Sequence, residues 1–493
     1  MTGPTTASPW LPVRSSSAGE AQDRPVWICA DECFDAPEYF RAVGAFDTGA
    51  HTSPMNIGIF SDSYLPARNG VARGIYHLKT GLELRGHKVV LVTISGPSRF
   101  GRHGGPSLPG CSDRHGSHGR TPRLDYPDSP EFERPGFPEL PDGTGDSPRI
   151  RRIHSLPVKP SLDLRVALTS PAAMGRIIRE EELEIIHTHT EFSIGLAARA
   201  AAMHANLPMI HTFHTLYEHY RHFLPLGKWL PSECIRRRTA WFLKPYQAVV
   251  CPSLKSQNYL RSFVPGDTTV YIPNGITVPP EDTPPAAAPA LSIPAVEGRP
   301  PDNQPKDINP REKIILYVGR LSPEKRSLQL VSQMLPLLRL RPDLKLILVG
   351  DGPLRHAVKR KIKEAGLEKS VLCTGFISPE KVQELYRRAD LFITASLSEN
   401  HPYTILEACV AGLPFVVRDD PAFYGLVENG KNGFTAATDA QMPAAVLKLL
   451  GDTRLRHKFG ACSRSIANRY DRDKYITMIE NLYRQCLKQT GKE

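Results

Sequence analysis

The chain has 493 residues, a length that ordinarily divides into more than one domain. Apolar residues make up 40% of it, enough for globular cores, and no apolar run approaches the roughly 20 residues of a membrane-spanning helix. The first thirty residues lack a signal-peptide pattern, so we expect a cytoplasmic protein. A net charge of +11 suits nucleic acid, an anionic membrane or a phosphorylated ligand. No nucleic-acid-binding motif accompanies the charge, so we expect no nucleic-acid partner.

Residues 1–54 show no sustained hydrophobic periodicity and contain many small polar side chains. Met55 then opens an apolar run that is typical of the first strand of a domain. We therefore expect the fold to begin at Met55. Residues 1–54 are either a disordered extension or lie upstream of the true start codon, and both alternatives stay open.

Short apolar runs alternate with longer amphipathic segments between residues 55 and 278. The runs that predict buried strands are 57–62, 89–94, 185–188, 209–213, 249–252 and 270–273. Between the first two, apolar residues recur at helical spacing at Val71, Ile75, Leu78 and Leu82. Strands that alternate with helices predict a parallel, doubly wound sheet, so we assign 55–278 to an N-terminal Rossmann-like α/β domain.

Two segments interrupt this alternation. Residues 97–150 are rich in Pro, Gly, Ser, His and Arg, and we expect a disordered surface insertion there. Residues 279–310 contain ten prolines, which predict a stiffened linker.

The alternation then resumes and predicts a second Rossmann-like domain over 311–465. Its predicted strands are 314–318, 346–349, 371–374, 391–394 and 415–417. We expect residues 466–493 to form a C-terminal helix that returns to the N-terminal domain. Two such domains should face each other across a cleft, with a ligand bound at the carboxyl ends of both sheets.

The turn after the first strand reads Pro66-Ala67-Arg68-Asn69-Gly70-Val71. Asn69 is a candidate cap for the following helix, and Gly70 would let a bulky anion approach the positive end of that helix. An ordinary strand-to-helix turn is the alternative.

Two loops of the second domain carry the residue types that bind a nucleotide diphosphate. The first, Gly319-Arg320-Leu321-Ser322-Pro323-Glu324-Lys325, places two cations directly after a strand. The second runs from Ser398 to Glu407, and its Pro402 suits the first position of a helix. The amides of Tyr403 and Thr404 would then face a pyrophosphate. Glu399 and Glu407 could hold hydroxyls on either side, although glutamates at this spacing are also common by chance.

A fourth segment, His211-Thr212-Phe213-His214-Thr215-Leu216-Tyr217-Glu218-His219-Tyr220, follows a strand of the first domain. Histidine is a common metal ligand, but the spacing is not His-Glu-x-x-His and no suitable loop contains Asp-x-Asp. Asp471-Arg472-Asp473 matches that string only at the start of the tail helix. We therefore predict a substrate-contacting loop rather than a metal site or a structural turn.

Together these loops resemble the GT4 family of glycosyltransferases, which have the GT-B fold. Gly-Arg-Leu-x-x-Glu-Lys at 319–325 and Glu-x7-Glu at 399–407 are that family's strongest marks. The segments 57–66, 187–193 and 214–220 are similar to the bacterial 1,2-diacylglycerol 3-glucosyltransferases, which make α-glucosyl diacylglycerol from UDP-glucose.

The resemblance implies a role for each matched residue. The donor diphosphate would be held by Arg320, Lys325 and Gly70, the ribose by Glu407 and the donor sugar by Glu399, with His214 beside the reacting sugar. The donor-binding set is completed by Asn400, His401, Tyr403 and Thr404. The acceptor-side candidates are Asp62, Glu191, Tyr217 and Glu218. The implied reaction retains the configuration of the sugar and needs no metal or other cofactor, because cations offset the charge of the leaving diphosphate.

A diacylglycerol acceptor implies a peripheral enzyme on the inner face of the cell membrane. Two segments mix basic with apolar residues and are candidates for contact with an anionic membrane: 151–179 and 228–244. Ordinary amphipathic helices are the alternative for either segment.

Three other functions remain open from the sequence, the third being a nucleic-acid binder on the ground of charge alone. A lipid mannosyltransferase that uses GDP-mannose would share nearly all of these motifs. A non-catalytic protein that binds a sugar nucleotide or a lipid is a second alternative, which the intact Arg320, Lys325, Glu399 and Glu407 disfavour. Many relatives have glycine where this chain has Asn400, so the identity of the donor sugar stays open.

Overall fold

The computed structural model describes residues 53–65, 67, 69–95, 149–159, 164–218, 231–279 and 312–491. The predicted extension, insertion and linker lie almost entirely outside these residues and stay predictions.

The first domain is built around a parallel sheet, as the alternating pattern predicts. Its strands are β1 (Asn56–Ser61), β2 (Lys88–Ile94), β3 (Ile150–Ile153), β6 (Ile185–Thr188), β7 (Met209–Thr212), β8 (Ala248–Cys251) and β9 (Thr269–Tyr271), and a separate hairpin contains β4 (Ser155–Lys159) and β5 (Leu164–Ala167). The sheet order within the described residues is β3-β2-β1-β6-β7-β8-β9. The helices are α1 (Gly70–Leu84), α2 (Pro171–Glu180), α3 (Ser193–His204), α4 (Ser232–Leu243) and α5 (Leu254–Arg261).

The second domain repeats this plan. Its strands are β10 (Lys313–Val318), β11 (Leu344–Val349), β12 (Val371–Gly375), β13 (Leu391–Thr394), β14 (Phe415–Arg418) and β15 (Gly433–Ala436), in the order β12-β11-β10-β13-β14-β15. The helices are α6 (Ser327–Leu340), α7 (Arg355–Glu364), α8 (Pro379–Arg388), α9 (Tyr403–Val410), α10 (Met442–Gly451), α11 (Thr453–Arg469) and α12 (Arg472–Gln489). Both strand orders reverse beside the first strand, so the crevice that binds ligands in such sheets opens there.

Sequence periodicity did not predict β3, the hairpin or β15. Arg151 and Arg152 interrupt the apolar run of β3, which an edge strand tolerates because one side of it faces solvent. The segment 151–179 is therefore not one amphipathic helix: it contains β3, the hairpin and α2. β15 is a short edge strand that begins at Gly433, where a Cβ would lie 2.7 Å from the Cβ of Phe415.

The tail forms two helices, and the boundary between the domains falls later than residue 466. α11 packs in the core of the second domain through Ile466 and Ala467. Asp471 then caps α12 by accepting from the amide of Asp473, which explains the Asp-x-Asp string. The amide of Ile276 donates to Tyr470 (2.8 Å) and the amide of Arg472 donates to Ile276 (2.9 Å), so the chain crosses between the domains twice at one point.

α12 lies in the core of the first domain. Ile476, Ile479 and Tyr483 are buried together with side chains of β1 and α1. Gly81 allows this close approach, since a Cβ there would lie 2.5 Å from Ile476. No helix of the described residues is long and apolar enough to span a membrane.

Candidate active site

The loop after β10 is supported by Tyr317 and by the backbone at Gly350, and its Arg320 is exposed to solvent. The Tyr317 hydroxyl donates to the carbonyl of Arg320 (2.9 Å). Gly350 has a φ of +126°, and a Cβ there would lie 2.1 Å from the carbonyl oxygen of Gly319. Only glycine fits at this position, because the loop after β11 supports the loop after β10 backbone to backbone.

The structure brings the two predicted donor motifs together. Lys325 forms an ion pair with Glu399 (2.7 Å), although the two residues lie 74 positions apart. The Ser398 hydroxyl also donates to the carbonyl of Glu324 (3.0 Å). A cation for a diphosphate and a carboxylate for a sugar hydroxyl are therefore neighbours at the carboxyl edge of the second sheet.

The helix predicted after Glu399 is α9, but it begins one residue later than expected. Pro402 is its N-cap, with extended backbone, and Tyr403 is its first residue. Glu407 lies inside the helix and is buried. Its carboxylate accepts from the Tyr386 hydroxyl (3.0 Å) and forms an ion pair with Arg73 of the first domain.

The beginning of α1 faces the beginning of α9. Asn69 caps α1 by accepting from the amide of Ala72 (2.9 Å), and a Cβ at Gly70 would meet no atom within 4 Å. Further along α1, a Cβ at Gly74 would lie 3.3 Å from the hydroxyl of Tyr403. Two positive helix ends therefore converge on one cleft, with open space beside Gly70.

His214 lies against two buried histidines of the first domain, His187 and His189. Its Nε2 lies 2.9 Å from Nδ1 of His189, whose ring lies 4.2 Å from that of His187. Burial lowers the pKa of His214 to about 3, and it lowers the pKa of His187 and His189 well below the ordinary value. These rings are neutral near pH 7. His189 was not among the predicted site residues, although it directly follows β6 and lies in the segment 187–193 that carries the family resemblance.

Asp62 is placed at the beginning of α3. Its carboxylate accepts from the Thr190 hydroxyl (2.7 Å), the Ser193 hydroxyl and the amide of Ile194 (3.0 Å). These bonds cap the helix where Phe192 provides no side-chain cap. The geometry therefore gives Asp62 a structural use, and its contact with an acceptor stays a prediction.

The other acceptor-side candidates form contacts with one another and with α4. Glu191 is buried, lies 3.1 Å from His211 Nε2 and accepts from the Tyr217 hydroxyl. Burial and the carboxylate of Glu191 raise the pKa of Tyr217 well above its ordinary value. Glu218 forms an ion pair with Arg236 (2.9 Å). Among the described residues, no group of three or more His, Cys, Asp or Glu is arranged to hold a metal ion.

Two family models match the chain. Residues 299–465 match the model described as Glycosyl transferases group 1, and residues 68–278 match Glycosyltransferase Family 4. The first match begins inside the Pro-rich segment 279–310 and includes both donor motifs. The chain is a GT4-like glycosyltransferase. It is therefore an enzyme, and its two facing Rossmann-like domains are the GT-B fold.

Proteins of known name support this assignment. The glycosyltransferase is 28% identical to the alpha-monoglucosyldiacylglycerol synthase of Streptococcus pneumoniae, over 80% of this chain and 78% of that protein. It is 25% identical to the enzyme of the same name from Acholeplasma laidlawii, over 89% of this chain and 99% of that protein. The solved structure of Anabaena HepE with UDP and glucose has a TM-score of 0.59 at 17% identity, and the match covers 87% of this chain and 99% of that one.

Proposed function

We propose that this glycosyltransferase moves a glucosyl group from UDP-glucose to the 3-hydroxyl of 1,2-diacylglycerol, with retention of the anomeric configuration. The observation that carries the donor half is the convergence at the start of α9. Lys325 pairs with Glu399 in the loop before α9, and Glu407 inside α9 pairs with Arg73 of α1, the helix that begins at Gly70. A diphosphate between two helix ends, with a carboxylate for the sugar and another for the ribose, fits that arrangement.

The proposed chemistry relies on charge and position. The acceptor oxygen forms a bond to C1 of the sugar while the bond from C1 to the diphosphate breaks. The leaving diphosphate takes the hydroxyl proton on the same face of the sugar. Arg320 and Lys325 offset its developing charge, so the proposal needs no metal or other cofactor. His214, as a neutral ring, would donate or accept a hydrogen bond to the sugar without adding charge.

Glu407 would bind the ribose hydroxyls in exchange for its contact with Arg73. Arg73 lies on the first turn of α1, one turn from Gly70. Release of its guanidinium from Glu407 would leave a cation beside the diphosphate. Donor binding would therefore replace an ion pair inside the protein by two contacts with the ligand.

The hairpin β4–β5 supports the lipid half of the proposal. Its exposed apolar side chains are Leu156 (56% exposed), Val158 (50%) and Val166 (42%), with Leu168 (59%) just beyond the hairpin. Leu156 is directly opposite Val166, so both project from the same face. The amide of Ala167 donates to the Ser193 hydroxyl (2.8 Å), and that hydroxyl donates to Asp62, so the backbone of the hairpin lies near the beginning of α3.

A lipid acceptor favours attachment to the inner face of the cell membrane, because each exposed CH₂ of an extracted lipid costs about 0.8 kcal/mol. Arg176 and Arg179 are exposed on α2, the helix that follows the hairpin, and would meet anionic headgroups, whereas Arg151 is paired with Glu181. The second candidate segment, 228–244, offers less. In its described part, Arg236 binds Glu218 and Arg238 donates to the carbonyl of Glu191 (3.0 Å), so these cations hold the domain together.

Incubation with a panel of nucleotide sugars and diacylglycerol, followed by lipid analysis, tests the reaction. We expect glucosyl diacylglycerol from UDP-glucose, and the anomeric coupling constant of the product should show an α-linkage. A mannosyl product from GDP-mannose would establish the mannosyltransferase alternative. Binding of the donor without turnover would support the non-catalytic alternative.

Vesicle sedimentation tests the membrane contact. The double variant Leu156→Ser/Val166→Ser should bind vesicles with anionic lipid several-fold more weakly, because it removes apolar area from the hairpin. Leu340→Ser is the matched control, since Leu340 is 79% exposed in the second domain. Equal binding of both variants and the wild type would remove the hairpin from the proposal.

A further inference from the structure

The side chain of Asn400 points across the cleft to the first domain. Its Nδ2 donates to the carbonyl of Phe213 (2.9 Å) and to the carbonyl of His214 (3.2 Å). Its Oδ1 accepts from the Ser253 hydroxyl at the beginning of α5. Both amide hydrogens are therefore used, and both on the backbone that carries His214.

Only one orientation of this carboxamide satisfies its neighbours. Rotation by 180° about the last side-chain bond would place Oδ1 against two carbonyl oxygens and Nδ2 against the Ser253 hydroxyl. In that flipped orientation Oδ1 and the two carbonyl oxygens would all be acceptors with no donor between them, so their contact would be repulsive. The residue type is thus specific: an aspartate of the same shape would keep the bond from Ser253 and lose both bonds to the loop 213–214.

A second contact closes the same side of the cleft without touching His214. Lys255, on the first turn of α5, donates to the carbonyl of Leu397 (2.8 Å) and pairs with Asp420 (2.7 Å). Both partners belong to the second domain. Lys255 and Asn400 therefore both join the domains, but only Asn400 bonds to the backbone of His214.

We propose that Asn400 is a positioning residue that couples the position of the donor loop, residues 398–407, to the position of His214. Glu399, the residue before it, pairs with Lys325, while His214 is hydrogen-bonded to His189. Through Asn400, movement of the donor loop onto a sugar also sets the height of the His214 ring above it. This inference rests on the proposed place of His214 beside the reacting sugar.

The contact between Asn400 and the loop 213–214 depends on the residue type at position 400. A glycine at position 400 would have no side chain to reach the loop 213–214. Asn400 therefore supplies a link between the donor loop and the first domain that glycine could not provide.

Kinetics with Asn400→Ala, Asn400→Asp and Lys255→Met distinguish a role in positioning His214 from a role that only holds the two domains together. At saturating donor, Asn400→Ala should lower kcat roughly 10-fold and Asn400→Asp roughly 100-fold, since about 1.4 kcal/mol corresponds to each factor of ten. Lys255→Met should raise the donor KM and leave kcat within about twofold. Equal effects of the alanine and aspartate variants on kcat, or a change in KM alone, would overturn the proposal.

Nuclear magnetic resonance of protein labelled with ¹⁵N-histidine gives a readout that does not depend on the substrate. Asn400→Asp should shift the ring nitrogen signals of His214 and His189, whereas Lys255→Met should not. Unchanged ring signals in Asn400→Asp would refute the positioning role even if transfer is impaired. Shifted signals in an enzyme that does not transfer glucose to diacylglycerol would instead contradict only the proposed function.

Discussion

The two sides of the cleft are built from different chemistry. The donor face, the loops 319–325 and 398–407, carries charged groups: Arg320 is exposed, the Lys325 and Glu399 side chains are 21% and 15% exposed, and Glu407 is buried. The histidine face, the segments 187–191 and 211–214, carries imidazole rings that hydrogen-bond within the first domain: His214 to His189, and His187 to Thr212.

This difference has a physical basis. A charged ligand can replace one partner of an ion pair that water still reaches, because water or the ligand then solvates the released group. A buried ring with a depressed pKa offers shape and hydrogen bonds but no charge. The donor face is therefore suited to exchange its partners, and the histidine face to hold a fixed geometry.

Acid should destabilise the protein through its buried histidines, three of which, His187, His189 and His214, belong to the histidine face. Burial lowers the pKa of His77, His214 and His401 to about 3, and that of His187 and His189 well below the ordinary value. These groups stay neutral in the folded state while the unfolded chain takes up protons below about pH 6.5. Stability should therefore be lost as the pH falls from 6.5 towards 3, by roughly 2 kcal/mol between pH 7 and pH 5 for each of the three groups whose pKa is about 3.

Urea unfolding at several pH values measures this loss. The exposed His356 provides a control, because His356→Gln should leave the slope against pH unchanged. A free energy of unfolding that stays constant between pH 7 and pH 5 would contradict the neutral, buried histidines.

Removal of a cation should impair the donor face without unfolding it. Lys325→Ala or Arg320→Ala should cost roughly 1.5–3 kcal/mol each in transition-state stabilisation, on the order of 10- to 150-fold in kcat/KM. Steady-state kinetics with the donor measures the effect. The control is Arg360→Ala, which removes a cation that is 76% exposed on α7. Turnover within twofold of wild type for both donor-face variants would show that these cations do not hold the diphosphate.

His401 offers a smaller test, because it lies on the donor face but is built like the histidine face. Its ring is buried against Tyr470, and both ring nitrogens are buried without a hydrogen-bond partner in the described residues. His401→Phe should raise the free energy of unfolding by about 1–2 kcal/mol, because unsatisfied buried polar atoms are costly. Thermal unfolding measures this change. A lower stability, or a large rise in the donor KM, would mean that the imidazole contacts something else.

The smallest expected effect is that of a chelator. Since the proposed mechanism offsets the diphosphate charge with Arg320 and Lys325, excess EDTA should leave the rate of transfer unchanged. Loss of activity with EDTA, followed by rescue with Mg²⁺ or Mn²⁺, would show that a metal supplies part of that charge.

Sequence periodicity predicted the central strands of both sheets because they are buried on both faces and read as apolar runs. It missed β3 and β15, since edge strands tolerate basic residues and glycine. The donor loops were predictable for a related reason: Arg320, Lys325 and Glu399 directly follow strands, and the carboxyl ends of parallel strands meet at one edge. α9 begins one residue later than the sequence predicted, because the exact end of a helix depends on the local geometry of its cap.

The amino-acid sequence by itself determined the two doubly wound domains and the chemical types of the residues on the donor face. Those properties depend on local patterns, which residues a few positions apart can encode. The tertiary structure alone decided that Arg73 pairs with Glu407, that His189 bonds to His214 and that Asn400 reaches the backbone of His214. Each of these contacts joins segments that are far apart in the chain, and only the packing of one element on another brings their atoms within bonding distance.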